Sequence, residues 1–117
     1  MPGSAGRVNR KLTRFDLDKR VRITLSTDGK TTVFHGRTCD LSEGGMCALI
    51  SGQLRVADHV SLEVNGLDEG PVSVSAKVRH ARGFYYGFEF CDLTRQQSAS
   101  LVKLITRNGS PKLRARQ

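Results

Sequence analysis

Long apolar runs are missing from this sequence: no hydrophobic segment approaches the ~20 residues that a membrane-spanning helix needs. The first residues, Met1 to Gly6, also lack the apolar core of a secretion signal. Both absences predict a cytoplasmic protein with no membrane span. With 117 residues, the chain has the length of one domain with a modest core.

Cysteine is scarce as well, since the chain has only three, with no Cys-x-x-Cys pair. We therefore expect Cys39, Cys47 and Cys91 to be reduced thiols, most of them filling core positions. His35 and His59 have no metal-ligand spacing with each other or with the cysteines. The sequence thus predicts no metal site and no cofactor.

Motifs typical of catalysis are also missing. The sequence has no Gly-x-Ser-x-Gly, no His-Glu-x-x-His and no phosphate-cradling Gly-x-x-x-x-Gly-Lys. Asp40 and Glu43 are close in sequence, but a turn that carries them gives no sign of a general acid–base pair. We predict from these absences that the protein is not an enzyme.

Positive charge, by contrast, is in excess. Lys and Arg number 19 against 11 Asp and Glu, which gives a formal net charge of +8. An anionic ligand, nucleic acid or an acidic protein surface would be attracted to such a chain. The basic residues crowd its two ends: Arg7, Arg10, Lys11, Arg14, Lys19, Arg20 and Arg22 near the start, and Arg107, Lys112, Arg114 and Arg116 near the finish.

From Val21 onward, apolar and polar residues alternate with period two, which predicts β-strands with one buried face. In the most regular strand, the apolar face runs from Val72 to Val78 and ends at His80. Sheets of this kind bury the apolar face by closing into a barrel or by packing as a sandwich. About six strands are predicted, near residues 21–26, 30–39, 46–50, 60–64, 72–80 and 84–90.

The period then changes to that of a helix. Residues 94–97 have the form of a capping box, in which the Thr94 hydroxyl and the Gln97 side chain satisfy free backbone amides. Leu101 and Leu104 follow at helical spacing, and Asn108-Gly109 is a stop signal. We predict one helix that covers an end or a side of the barrel.

Two short motifs carry the functional signal. Residues 10–14 read Arg-x-x-x-Arg, and residues 40–45 read Asp-x-Ser-x-x-Gly. Two guanidinium groups four positions apart can fork onto phosphate oxygens or onto the O6/N7 edge of guanine. Asp and Ser supply an acceptor and a hydroxyl for polar base edges. In this order along the chain, the pair resembles the signature of the PilZ domain family, bacterial receptors for the second messenger cyclic di-GMP.

The resemblance implies a mainly β fold: a six-stranded antiparallel β-barrel with one C-terminal α-helix. The arginine motif then lies before the first strand, and the Asp-x-Ser-x-x-Gly motif lies between the second and third strands. The domain organisation that follows is a flexible N-terminal segment at 1–9, a barrel domain with its helix at 10–107, and a basic flexible tail at 108–117.

The resemblance also implies roles for five residues. Arg10 and Arg14 would bind the phosphates and guanine of cyclic di-GMP, Asp40 and Ser42 would read a guanine edge or hold the loop, and Gly45 would let the backbone approach the ligand. Asp40 and Ser42 also fit a second interpretation, as turn residues that bond only to their own backbone. Both roles can coexist.

Five further residues are secondary candidates for ligand contact: Arg7, Asn9, Lys11, Gly44 and His80. Some family members carry an additional arginine at the position of Asn9, and that arginine is associated with binding a stacked dimer of cyclic di-GMP. Asparagine cannot supply its charge, although Arg7 could substitute, so the stoichiometry stays open. Gly44 would help the turn conformation, and the His80 imidazole could stack on a base.

The function implied is a stand-alone cyclic di-GMP receptor that orders its loose N-terminal arginine segment around the ligand and relays the signal to a protein partner. One alternative is a basic β-barrel that binds nucleic acid, with Phe84 and Tyr85 stacking on bases. Aromatic residues make up only 6% of the chain, so nucleic acid is not the expected partner. A second alternative, a PilZ-like adaptor that binds only protein, fits poorly because such adaptors usually lack one of the two motifs.

Overall fold

A computed structural model describes residues 13–111. Its elements are β1 (Phe15–Asp16), β2 (Arg20–Thr27), β3 (Lys30–Leu41), β4 (Gly45–Ile50), β5 (His59–Val64), β6 (Val72–Arg82), β7 (Tyr85–Cys91), α1 (Arg95–Asn108) and β8 (Ser110–Pro111). Strands β2 to β7 form a closed antiparallel barrel, because β2 pairs with both β3 and β5 and the order around the barrel is β2-β5-β6-β7-β4-β3. The predicted six-stranded barrel with a C-terminal helix is confirmed.

The core lies inside the barrel, where alternate residues of each strand meet. The burial of these aliphatic side chains is the main favourable contribution to the stability of the fold. Helix α1 packs against β6 and adds Leu101 and Leu104, both fully buried, to the same core. The strands contribute Val21, Ile23, Met46, Ile50, Leu62, Val64, Val74 and Val78, among others.

The predicted capping box begins α1. The Thr94 Oγ1 accepts a hydrogen bond from the Gln97 amide at 3.0 Å, and the Gln97 Oε1 accepts one from the Thr94 amide at 2.8 Å. The Gln97 side chain also donates to the Ser73 carbonyl oxygen on β6 at 3.0 Å, which fastens the start of the helix to the barrel. Within residues 13–111, no helix has the length and apolar character needed to cross a membrane.

A β-bulge in β6 corrects one prediction. The register between β6 and β7 shifts between Val78 and His80, so Arg79 is an extra residue in the ladder. Val78 points into the core, but His80 pairs with Gly87 and is exposed on the outer wall. The expectation that His80 ends the inward apolar face is wrong, because one inserted residue reverses the alternation.

The cysteines also differ from expectation. All three are free thiols, but only Cys47 is buried, while Cys39 and Cys91 are half-buried. Cys39 is the extra residue of a second bulge, where the register between β3 and β4 shifts between Thr38 and Asp40. The bulge places Cys39 beside Asp40, at the end of β3 that leads into the Asp-x-Ser-x-x-Gly loop.

Two short strands that the sequence did not predict extend the sheet beside this loop. In β1, Phe15 pairs with Leu41 and Asp16 pairs with Asp40, at the end of β3. The other edge of β1 pairs with β8, where Asp16 lies opposite Ser110. Because β1 follows Arg14 directly, this pairing holds the second arginine of the motif close to Asp40.

Candidate ligand-binding site

The two sequence motifs meet through an ion pair. The Arg14 Nη1 donates to the Asp40 Oδ1 at 2.9 Å, although the two residues are 26 positions apart in the chain. The Asp40 side chain is only 3% exposed, whereas that of Arg14 is 39% exposed. The pair therefore combines a buried carboxylate with a guanidinium that solvent can reach. The other candidates of the N-terminal segment, Arg7, Asn9, Arg10 and Lys11, lie outside the described residues.

Ser42 organises the turn between β3 and β4. Its hydroxyl oxygen accepts hydrogen bonds from the amides of Gly44 and Gly45, each at 3.1 Å. The Ser42 amide donates to the Gly45 carbonyl oxygen at 2.8 Å, and the residue is 2% exposed. These contacts correspond to the loop-holding role that the sequence left open beside a ligand contact. Ser42 therefore gives the turn a fixed shape, and this turn positions Asp40.

Removing the Ser42 hydroxyl should therefore destabilise the fold before any ligand is added. Ser42→Ala leaves two amides of a buried turn without their acceptor, so we expect the free energy of unfolding to fall by about 1–3 kcal/mol. Urea denaturation measures this change. The control is Ser26→Ala, whose exposed hydroxyl lies 3.4 Å from that of Thr31 and should contribute less than about 0.5 kcal/mol. Equal effects of the two substitutions would contradict the role assigned to Ser42.

Gly45 is needed by the neighbouring strand. A Cβ atom built on Gly45 would lie less than 3.0 Å from the Phe88 carbonyl oxygen of β7, closer than real Cβ atoms approach. The Phe90 amide of β7 also donates to the Gly44 carbonyl oxygen at 2.9 Å. Neither Gly44 nor Gly45 has a positive φ. The close approach of β7 therefore requires a glycine at position 45.

A row of paired residues crosses the outer wall of the barrel from the ion pair. Asp40 of β3 pairs with Cys47 of β4, Cys47 pairs with Gly87 of β7, and Gly87 pairs with His80 of β6. Leu41, Met46 and Phe88 are sequence neighbours of Asp40, Cys47 and Gly87 and are buried in the core, so these three residues face outward. His80, opposite Gly87, is exposed on the same face. The two bulges are what bring Asp40 and His80 into one row.

Tyr85 borders this row, and the sequence did not connect it with the Asp40 loop. It lies two residues before Gly87 on β7, and therefore on the same outer face. The Cys47 thiol, partial burial and the negative charge of Asp40 raise the pKa of the Tyr85 hydroxyl above its usual range. The alternation of Tyr85, Gly87 and Glu89 was the available signal, but the face they share with Asp40 depends on the bulges.

Comparison with known proteins identifies the family. A family model of the PilZ domain matches residues 8–107, most of the chain. The chain belongs to the PilZ family. Comparison with curated proteins gives no match.

Similar solved structures support the same fold. The PilZ domain of CeSA from a cellulose-synthesizing bacterium is 24% identical, with 80% of this chain and 94% of that chain covered and a TM-score of 0.65. The PilZ domain of Escherichia coli YcgR, solved with c-di-GMP, is 20% identical over 85% of this chain and 92% of that chain, also with a TM-score of 0.65. The Bacillus subtilis inhibitor of motility MotI/DgrA is 17% identical, with 92% of this chain and 56% of that chain covered and a TM-score of 0.63.

Proposed function

We propose that this protein is a receptor for cyclic di-GMP and that it binds the ligand on the outer wall beside Asp40. The observation that carries the proposal is the ion pair between Arg14 and Asp40, which joins the Arg-x-x-x-Arg and Asp-x-Ser-x-x-Gly motifs in space. Membership of the PilZ family and the similarity to a YcgR domain solved with c-di-GMP support the choice of ligand. The proposed activity is binding, without catalysis.

Ligand binding would exchange the partners of the ion pair. A guanine presents N–H donors on its edge, and the Asp40 carboxylate can accept them in place of the Arg14 guanidinium. Arg14 is then released to bind a phosphate of the ligand through its planar fork of donors. Arg10 would supply the second guanidinium of the motif. Each buried charge keeps a partner throughout, which limits the cost of the exchange.

The N-terminal segment would transmit ligand binding to a protein partner. Two phosphates neutralise the basic segment that contains Arg7, Arg10 and Arg14, so the surface offered to a protein partner changes in both shape and charge. Copurification with and without cyclic di-GMP tests the relay. A partner set that is identical in both conditions would contradict ligand-controlled signalling.

Isothermal titration calorimetry with cyclic di-GMP tests the proposed function itself. We expect binding at micromolar concentrations or below, and a folded sample that releases or absorbs no heat at low salt would overturn the proposal. Cyclic di-AMP is the matched control, because it has the same phosphates but lacks the guanine edge. Since base readout contributes about 1–3 kcal/mol of discrimination, cyclic di-AMP should bind at least about fivefold more weakly.

Equal affinity for the two dinucleotides would mean that diffuse attraction between charges governs binding and that Asp40 does not read guanine. A single-stranded oligonucleotide in the same titration tests the nucleic-acid alternative. Its affinity should fall steeply with salt. Tight oligonucleotide binding at physiological salt that Asp40→Ala leaves unchanged would favour that alternative.

A further inference from the structure

Gly87 separates two ring-bearing side chains on the outer wall. Tyr85 lies two residues before it on β7, and His80 lies opposite it on β6. Tyr85 and His80 are therefore diagonal cross-strand neighbours, whose backbones are about 7–8 Å apart. A Cβ atom on Gly87 would lie 2.9 Å from the His80 Cδ2, so the imidazole lies directly over the glycine. The absence of a side chain at position 87 gives the His80 imidazole the space that it occupies on this wall.

Tyr85 lies on the same outer face of the barrel as Asp40. Cys47 of β4 lies opposite both Gly87 and Asp40, and Tyr85 lies two residues before Gly87 on β7. Cys47 and Asp40 both raise the pKa of the Tyr85 hydroxyl, in agreement with a ring that lies on their side of the wall. The residue is 38% exposed, so a ligand can reach the ring. Leu49, which pairs with Tyr85 and is 51% exposed, extends the apolar surface.

We propose that Tyr85 is a ligand-contacting residue whose ring stacks on one guanine of cyclic di-GMP while the edge of that guanine reaches Asp40. The proposal rests on the proposed function and adds a residue outside the two motifs. A purine needs a flat apolar surface for its face and polar partners for its edge, and this wall offers both side by side. The chain has no tryptophan, and among the described Phe and Tyr residues the exposed ones are Phe84 and Tyr85.

Calorimetric titration of Tyr85 variants tests the proposal. Tyr85→Ala should weaken cyclic di-GMP binding by about tenfold, within the range measured for loss of one base–aromatic stack. Tyr85→Phe keeps the ring and should bind within about threefold of wild type, because a thiol is a weak hydrogen-bond partner. Phe84→Ala is the matched control, since Phe84 is the adjacent aromatic residue and is 69% exposed. It should leave the affinity unchanged.

A fluorescence experiment gives a second readout. Because the chain has no tryptophan, Tyr85→Trp introduces a single indole, whose emission should be quenched when a guanine stacks on it. Phe84→Trp is the control and should show little quenching at saturating ligand. If Tyr85→Ala is unstable, Tyr85→Leu replaces it, because leucine keeps an apolar side chain over Cys47 but has no π face. Tyr85→Leu should also weaken cyclic di-GMP binding by about tenfold.

The outcomes separate the two proposals. Wild-type protein that does not bind cyclic di-GMP overturns the proposed function and this inference with it. Wild-type protein that binds, together with Tyr85→Ala or Tyr85→Leu variants that bind equally well, overturns only the role of Tyr85. Equal quenching at positions 84 and 85 would also contradict a stack specific to Tyr85.

Discussion

Replacing Arg14 by alanine should weaken cyclic di-GMP binding by about ten- to a hundredfold, because a charge-assisted contact contributes about 1.5–3 kcal/mol. The same substitution should also lower stability, since it removes a partner of the buried Asp40 carboxylate. Breaking a fully buried ion pair costs several kcal/mol, but solvent reaches the 39% exposed Arg14 side chain, so we expect about 1–2 kcal/mol. Calorimetry and urea denaturation measure the two effects.

A second substitution separates stability from binding. Asp40→Asn keeps a hydrogen-bonding side chain but removes the buried charge, so Arg14→Ala should cost less than about 0.5 kcal/mol of stability in that background. Ligand binding should not recover, because the double mutant lacks both the guanidinium for a phosphate and the carboxylate that is proposed to read guanine. A double mutant that binds like wild type would contradict both roles. Arg14→Lys should also bind poorly, since an ammonium cannot reproduce the planar fork.

Arg22 offers a control for the loss of charge. It pairs with Glu63 at 3.5 Å, and both residues are well exposed on β2 and β5, across the barrel from β4 and β7. Arg22→Ala loses the same charge as Arg14→Ala but should change affinity by less than about twofold at moderate salt. Arg10→Ala should resemble Arg14→Ala in binding. If Arg22→Ala and Arg14→Ala weakened binding equally, the two-motif site would be wrong.

The barrel and helix were predictable because their signals are local. Period-two alternation identified the six barrel strands, and the Thr94 capping box marked the start of the helix. The meeting of Arg14 with Asp40 could not come from spacing, because it depends on β1, a strand of two residues. It was expected only through the resemblance to a family. Arg10 remains a prediction, since it lies outside the described residues.

The outer wall was less predictable, because two bulges decide which residues face it. Alternation counts every residue once, and nothing in the residue types at Thr38–Asp40 or Val78–His80 marks an extra one. His80 was therefore assigned to the wrong face. Tyr85 was recognised as an aromatic but not as a neighbour of Asp40. Errors of this kind concentrate at irregularities of a sheet, which often lie near functional sites.

Gly45 illustrates a motif residue whose role depends on tertiary structure. From the sequence, the glycine was expected to let a ligand approach the backbone. In the fold, the space that its side chain would occupy already contains the Phe88 carbonyl oxygen. Both explanations require glycine, but they predict different phenotypes for the alanine variant: the first a folded protein that does not bind, and the second an unstable one.

Gly45→Ala should therefore be destabilising in the absence of ligand. The alanine Cβ and the Phe88 carbonyl oxygen are both attached to the backbone, so β4 and β7 must shift to separate them. Overpacking of this kind lowers the free energy of unfolding by about 1–3 kcal/mol or more. For a domain of this size, the melting temperature should fall by roughly 5–20 °C. Scanning calorimetry measures the change, and cyclic di-GMP should restore part of it, since a ligand that binds only the folded protein stabilises it.

A comparison with Gly29→Ala tests where the effect of Gly45 arises. Gly29 is in the turn between β2 and β3, with a φ of +78° and open space around the position of its Cβ, so alanine there should cost about 1 kcal/mol through backbone strain alone. It should leave ligand affinity unchanged. Gly45→Ala should cost more than Gly29→Ala and should also displace the turn that holds Asp40, so its folded molecules should bind more weakly. A Gly45→Ala variant that melts like wild type but does not bind cyclic di-GMP would instead show that Gly45 lets the ligand approach the backbone.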